Sequence, residues 1–196
     1  MAIVEIIFAT NNANKVKEIK AVTGDRLTIL SLADAGINID IPEPHDTLEA
    51  NASEKSSVIH ALTKKNCFSE DTGLEITSLN GEPGVKSARY AGDERNFQAN
   101  IDLVLKKLNN KEDKAAQFRT VISLIWNNQE YMFEGICKGY ILSVQRGTEG
   151  FGYDPIFVPE GANKSFAEMS MDEKNQYSHR KKAMSKLIHF LLDQTK

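Results

Sequence analysis

Two consecutive carboxylates, Glu70 and Asp71, follow the run Cys67-Phe68-Ser69 and precede Thr72, Gly73 and the loop GEPGVKSARYAG, residues 81–92. A strand-to-turn junction needs one acid at most, whereas a metal ion bound beside an anion needs acids, hydroxyls and cations together. Consecutive residues of an extended segment point to opposite faces, so only one of the pair faces a given site. Asp71 is the better candidate, because it lies nearest the Thr72-Gly73 turn. Glu43, in the turn-rich stretch IPEPHDT at 41–47, can reach the same place. Two carboxylates completed by phosphate oxygens and waters suit Mg²⁺, which rarely takes a full cage of protein ligands. The competing reading is a pair of solvated acids on a loop rim.

Three further stretches combine residue types that do chemistry. In FATNNANK, 8–15, a strand ends in small polar residues where a helix begins. Backbone N–H groups at that helix N-terminus point at whatever sits there and favour an anion, and Lys15 adds a full charge. An ordinary cap with a solvated lysine face is the alternative, and neither a Walker loop nor a dinucleotide fingerprint is present. In GTEGFGYDPIFVPEG, 147–161, four glycines, two prolines and three aromatics form an irregular loop. Phe151 or Tyr153 can offer a ring to a nucleobase while Gly150 and Gly152 let the backbone come close. Packing of the loop onto the core competes with that reading. In EKNQYSHRKKA, 173–183, Lys174, His179 and Arg180 are placed at the start of the last helix, and all three can donate hydrogen bonds. Such donors favour a base with a 6-keto oxygen over one with a 6-amino group, which would leave them unpaired. A basic surface helix is the alternative here. His45, His60 and His189 are assigned structural or solvent roles.

The elements that must position these residues follow from periodicity. Residues 3–8 read as a buried strand, and 12–22 as a helix burying Val16, Ile19 and Val22, with Gly24 as its stop. A second strand is expected over 27–32. Thr47 then caps a helix whose buried stripe is Leu48, Ala52, Ile59 and Leu62. Phe97, Ile101, Val104, Leu105 and Leu108 mark a helix over 94–108. Strands at 120–126 and 130–142 flank a hairpin turn, Asn127-Asn128-Gln129, and the last helix spans 178–194 with Ser178 as its N-cap. Strands interleaved with helices, plus a hairpin, predict a mixed α/β sheet.

Composition narrows the function classes. The chain has 196 residues, 41% hydrophobic and 26% charged, enough for one sizeable core, so a single domain over 1–196 is expected. A net charge of -3 argues against a duplex nucleic acid or a membrane surface as partner, so an anionic ligand must be met by local cations. Cys67 and Cys137 lack metal-ligand spacing and read as buried reduced thiols. No basic leader precedes an apolar segment, and no apolar run approaches the ~20 residues of a membrane span. A cytoplasmic protein with no membrane partner is the expectation.

Taken in order, FATNNANKVKEI, TLEANASEKS, SEDTGLEITSLNGEPGVKSARYAG, FGYDPIF and AEMSMDEKNQYSHRKKA resemble the inosine triphosphate pyrophosphatase family, the XTP/dITP diphosphatases. The resemblance covers nearly the whole chain. It implies an elongated mixed sheet flanked by helices, with two lobes around a central cleft, usually in a homodimer. The implied activity is Mg²⁺-dependent hydrolysis of non-standard purine nucleoside triphosphates to the monophosphate and pyrophosphate. On matching positions, Thr10, Asn11, Asn12, Lys15 and Lys55 would hold the triphosphate. Glu43 and Asp71 would hold the metal, with Asp71 also the base that activates water. Thr72 would touch substrate, Phe151, Gly152, Tyr153, Asp154, Lys174, His179 and Arg180 would surround the base, and Arg89 is a lesser candidate. The family commonly has glycine where this chain has Asn11, and alanine where it has Ser56. The rival readings are a Maf-like pyrophosphatase of pyrimidine or modified nucleotides, against which the Ser178-His179-Arg180 stretch argues, and a nucleotide-binding regulator without turnover.

Overall fold

Strand β1, Val4–Phe8, exposes Glu5 and buries Ile6 and Phe8 on one face and Ile7 on the other, with parallel neighbours on both edges. In the computed structural model, which describes residues 4–23 and 27–194, it is followed by helix α1, Ala13–Thr23, and strand β2, Leu27–Ser31. Gly24, the expected helix stop, lies outside the described residues. The chain continues through α2, Leu48–Thr63; β3, Cys67–Ile76; β4, Pro83–Gly84; α3, Phe97–Leu108; and the strands β5, Ala115–Trp126, and β6, Gln129–Ile141. It ends with β7, Phe157–Pro159; α4, Met171–Tyr177; and α5, His179–Gln194. The strand order is β2-β1-β3-β5-β6-β7, with β4 paired antiparallel to β3. Parallel pairing of β1 with β2 and β3, and antiparallel pairing of β6 with β7, make the sheet mixed, as the interleaved strands and helices predict.

The chain divides into two compact units. The first comprises Met1–Asp71, Thr120–Gly135 and Arg180–Lys196. Its strands alternate faces with period two, so Ile6, Phe8, Phe68, Ile122 and Leu124 meet Ile19 of α1 and Met184, Leu187, Ile188 and Leu191 of α5. On the opposite face Ile7, Ala9, Cys67 and Ile125 meet Ile59 of α2. Phe8 and Phe68, paired in register across β1 and β3, stack with ring centroids 4.5 Å apart. The second unit, Thr72–Arg119 and Ile136–His179, has its own core. There Leu74, Ile76, Phe118, Cys137 and Ile141 of the strands meet Ile101, Val104 and Leu108 of α3 and the loop residues Tyr153, Ile156 and Phe166. Both cysteines are buried, and burial pushes the Cys67 thiol up to about 12.

Several boundaries differ from the sequence reading for physical reasons. Strand β5 begins at Ala115, because Ala116 and Phe118 alternate inward ahead of the continuous apolar run. The hairpin turn is the two residues Asn127 and Asn128, with φ of 50° and 64°, while Gln129 already belongs to β6. Helix α4 is an element that periodicity did not reveal. Its signal is the capping box of Ser170 with Glu173, in which each side chain accepts from the other's backbone N–H. Ser178 closes α4, and α5 begins at the next residue. Thr47 caps α2 by accepting from Ala50 N, as expected. Leu62, placed by its spacing in the buried stripe of α2, is instead 60% exposed, because the last turn of the helix runs past the cluster that encloses Ile59.

That contrast sets a test within one helix. Ile59→Ala should destabilise the protein by about 2–5 kcal/mol in urea unfolding. Leu62→Ala, also a change to a better helix former, should stay within about 0.5 kcal/mol.

Candidate active site

The first unit assembles its polar residues around the middle of β3, which runs on through the expected Thr72-Gly73 turn. The strand sends Glu70 and Asp71 to opposite faces, and each is hydrogen-bonded by cations on its own side. On one face Glu70 receives Arg180 Nε at 2.8 Å and Nη2 at 2.9 Å, a bidentate pair, while Lys15 Nζ lies 3.2 Å from Glu70 Oε1. Arg180 Nη1 is paired with Glu18, a residue of α1. Burial alone would push the Glu70 carboxyl up, yet the Arg180 and Lys15 charges hold it well below the usual carboxylate range.

On the other face Lys55 Nζ donates to Glu43 Oε1 at 2.5 Å and to Asp71 Oδ1 at 3.1 Å. Asn51 Nδ2 lies 3.5 Å from Asp71 Oδ2. The same side chain binds His45 twice, accepting from its N–H at 2.9 Å and donating to its carbonyl at 3.1 Å. Asn51 thus fixes the loop that carries Glu43 onto the helix that carries Lys55. Burial pushes the Asp71 carboxyl up; Lys55 and Lys15 oppose this, Glu43 adds to it, and the net direction is upward.

The loop ahead of α1 is held by its own side chains. Asn12 Oδ1 accepts from Asn14 N at 3.0 Å and Lys15 N at 3.2 Å, and Thr10 Oγ1 accepts from Asn12 N at 3.2 Å. Asn11 donates to the Ile39 carbonyl at 2.8 Å, and its backbone is not among the positive-φ residues, so this position does not demand glycine. Lys15 is not on a solvated face: its side chain is 15% exposed.

The second unit holds the remaining candidates. Thr72 continues β3, and Arg89 lies in a short 3-10 turn, Ser87–Arg89. Lys174 Nζ pairs with Asp154 Oδ2 at 2.6 Å, and that oxygen also accepts from Phe151 N at 2.9 Å. The Lys174 ammonium lies 5.6 Å from the Phe151 ring centroid and 5.2 Å from that of Phe166. A side chain at Gly150 would strike the Asp154 carboxylate, so glycine is required there on steric grounds as well as by its φ of 76°. Gly152, at φ 62°, has open space where a side chain would stand. His179 stacks on Phe118 with centroids 4.7 Å apart.

These placements correct parts of the sequence reading. Lys174 belongs to α4 and not to the last helix. Tyr153 is 4% exposed with its hydroxyl on the Ser87 carbonyl at 2.8 Å, so its ring is core and not a platform. Arg180, expected to donate to a base, is buried in the first unit with its guanidinium on Glu70 and Glu18. Glu18 and Asn51 were missed, although each is a polar residue at the spacing of a buried stripe: Glu18 beside Ile19 and Val22, Asn51 between Leu48 and Lys55. Among the described residues no group of three or more histidines, cysteines or acids gathers as a metal cage.

The Ham1 family pattern matches residues 6–190. The chain belongs to the Ham1 family. A relative from Flavobacterium johnsoniae named dITP/XTP pyrophosphatase is 47% identical over 187 residues, covering 95% of this chain and 97% of that one. A relative of the same name from Porphyromonas gingivalis is 46% identical over 189 residues, with 96% and 97% covered. Among solved structures, the Staphylococcus aureus Ham1 protein aligns with a TM-score of 0.87 at 38% identity, covering 97% of this chain and 99% of that one. A Coxiella burnetii HAM1 protein aligns at 0.88 with 32% identity, covering 97% and 100%. The mixed sheet flanked by helices is thus the Ham1 architecture. No helix among the described residues is long and apolar enough to cross a membrane.

Two measurements probe this geometry. Glu70→Gln leaves the buried Arg180 short of its bidentate partner and should cost about 3–5 kcal/mol in urea unfolding. Glu173 is held down to about 2 by Lys164 and the Ser170 N–H. A carboxyl depressed in the folded state stabilises it fully above its ordinary value of 4.5, and that contribution fades as pH falls from there towards 2. The protection factors of amides along α4, taken relative to intrinsic exchange at each pH, should therefore fall over that interval in the wild type and lose this pH dependence in Glu173→Gln.

Proposed function

We propose that this chain is a pyrophosphatase that hydrolyses non-standard purine nucleoside triphosphates, dITP, ITP and XTP, to the monophosphate and pyrophosphate with Mg²⁺. The observation that carries the reading is the convergence of Glu43 and Asp71 oxygens on one cationic point, at 2.5 and 3.1 Å from Lys55 Nζ. Oxygen donors gathered around a point that already holds positive charge fit a hard divalent cation, and the relatives named dITP/XTP pyrophosphatase support the same chemistry. A bound Mg²⁺ would supply Lewis-acid polarisation of phosphate oxygens and a lowered pKa for water.

The chain's own residues do the rest. Asp71 accepts the proton of the attacking water, a task suited by a carboxyl raised above its ordinary value. Lys15 and Lys55, with the Thr10-Asn11-Asn12 loop beside them, hold the phosphate oxygens, which a chain of net charge -3 must do with local cations. Thr72 touches substrate. Phe151 supplies the stacking face, backed by Gly152, and Lys174 and His179 supply donors for a 6-keto base, with Asp154 holding Lys174 and Phe151 in place. Tyr153 anchors that loop through Ser87, and Arg180 acts by positioning Glu70 behind Lys15. We assign the function to residues 1–196 as one domain, working in the cytoplasm as a homodimer.

With dITP and Mg²⁺ the protein should release pyrophosphate, and Asp71→Asn should lower kcat by at least about 100-fold while still binding nucleotide. Release of single phosphate would overturn the assigned cleavage point. Binding of dITP without any product from the wild type would overturn the enzyme.

A further inference from the structure

Lys55 occupies an unusual position for a phosphate-binding cation. Its ammonium is buried and bridges the two carboxylates assigned to the metal, whereas Lys15, the other lysine beside Glu70 and Asp71, pairs with Glu70 on the opposite face of the strand. Glu70 has Arg180 as a bidentate partner in addition to Lys15. The Glu43–Asp71 pair has Lys55 between its oxygens. Two carboxylates brought together repel, so a cation between them is what allows Asp71, 7% exposed, to stay beside Glu43.

We propose that Lys55 is an exchangeable internal counter-ion: its ammonium holds the Glu43–Asp71 pair together until a divalent cation displaces it, and then moves to the phosphate oxygens of the substrate. The inference rests on the assignment of Glu43 and Asp71 as metal ligands. Two cations cannot share one point between the same oxygens, so Lys55 and the metal exclude each other there. A lysine suits exchange because its charge is a compact ammonium on a flexible four-carbon stem, where an arginine fork would be locked by its planar pairing. The carboxylates need not follow the ammonium as it leaves. Asn51 ties Asp71 and the His45 backbone to α2 independently of Lys55.

The consequence is a pair of effects with opposite signs, and a change in Lys55 accessibility that distinguishes exchange from a fixed phosphate ligand. Without nucleotide, Lys55→Met should bind Mn²⁺ at least about tenfold more tightly than wild type, read from the EPR signal of unbound Mn²⁺. The same variant should bind a non-hydrolysable triphosphate at least about tenfold more weakly. Equal or weaker Mn²⁺ binding by Lys55→Met, or none by either protein, would overturn the proposal.

Should Lys55→Met fail to fold, reductive methylation of the wild type decides. Lys55 should be protected alone, labelled at Mn²⁺ concentrations that EPR shows to be bound, and protected again by the triphosphate analogue. Labelling indifferent to bound Mn²⁺ would refute the exchange. Pyrophosphate release from dITP by the wild type is scored separately. Turnover with unchanged Mn²⁺ affinity in Lys55→Met removes only the counter-ion, and tighter Mn²⁺ binding without wild-type turnover removes only the assigned activity.

Discussion

The alternation of side chains along an extended strand is the constraint on which the first unit depends. Because Glu70 and Asp71 are neighbours in β3, they point to opposite faces, and each finds its hydrogen-bonded cations on its own side. Glu70 is neutralised from α1 and α5 by Lys15 and Arg180, and Asp71 from α2 by Lys55. The adjacent pair is therefore one acid spent on structure and one proposed for chemistry. Glu70 ties two helices to the strand, so that α1, whose first turn is proposed to face the phosphates, is referenced to the strand that carries Asp71.

Much of this was legible in the sequence, and the rest was hidden for identifiable reasons. The apolar run of β1, the capped α2 and the Asn-Asn hairpin each have a local cause, so each could be read from a few residues. Helix α4 escaped because seven residues hold too few turns for a periodic signal, although Ser170 and Glu173 marked its start. Leu62 was misplaced because spacing identifies the face of a helix and not where the covering layer ends. In the site, Asp71, Glu43 and Lys55 were legible as residue types suited to metal and phosphate. The partner of Arg180 was not, since Glu18 and Glu70 lie 162 and 110 residues away in the chain. Long-range charge pairing leaves no local pattern, and a basic residue near a helix start reads equally well as a ligand-binding donor.

The second unit follows a different logic. Its candidate groups sit on an irregular loop, which could drift unless anchored. Asp154 is the anchor: one carboxylate oxygen takes both the Phe151 N–H and the Lys174 ammonium. Tyr153, spent on the core and on Ser87, fixes the same loop to the strand side. Gly150 is needed because the Asp154 carboxylate fills the space a side chain would take. The GFGYD stretch is therefore explained by internal packing and hydrogen bonding at Gly150, Tyr153 and Asp154, which leaves Phe151 as its half-buried aromatic.

Buried ion pairs seldom repay their desolvation, and replacing one by apolar residues of similar volume is often neutral or stabilising. The first unit nevertheless buries Glu18, Glu70, Asp71, Lys55 and Arg180. A fold selected for stability alone would have filled the Arg180 position with an aliphatic side chain against the core that surrounds Met184. What an aliphatic residue cannot do is direct a lysine: Glu70, held by a bidentate guanidinium, holds Lys15 at the start of α1. On that face Arg180 and Lys15 balance Glu70 and Glu18, while on the other Lys55 stands between two carboxylates. Placing the acids on successive residues of a strand lets one backbone support both arrangements.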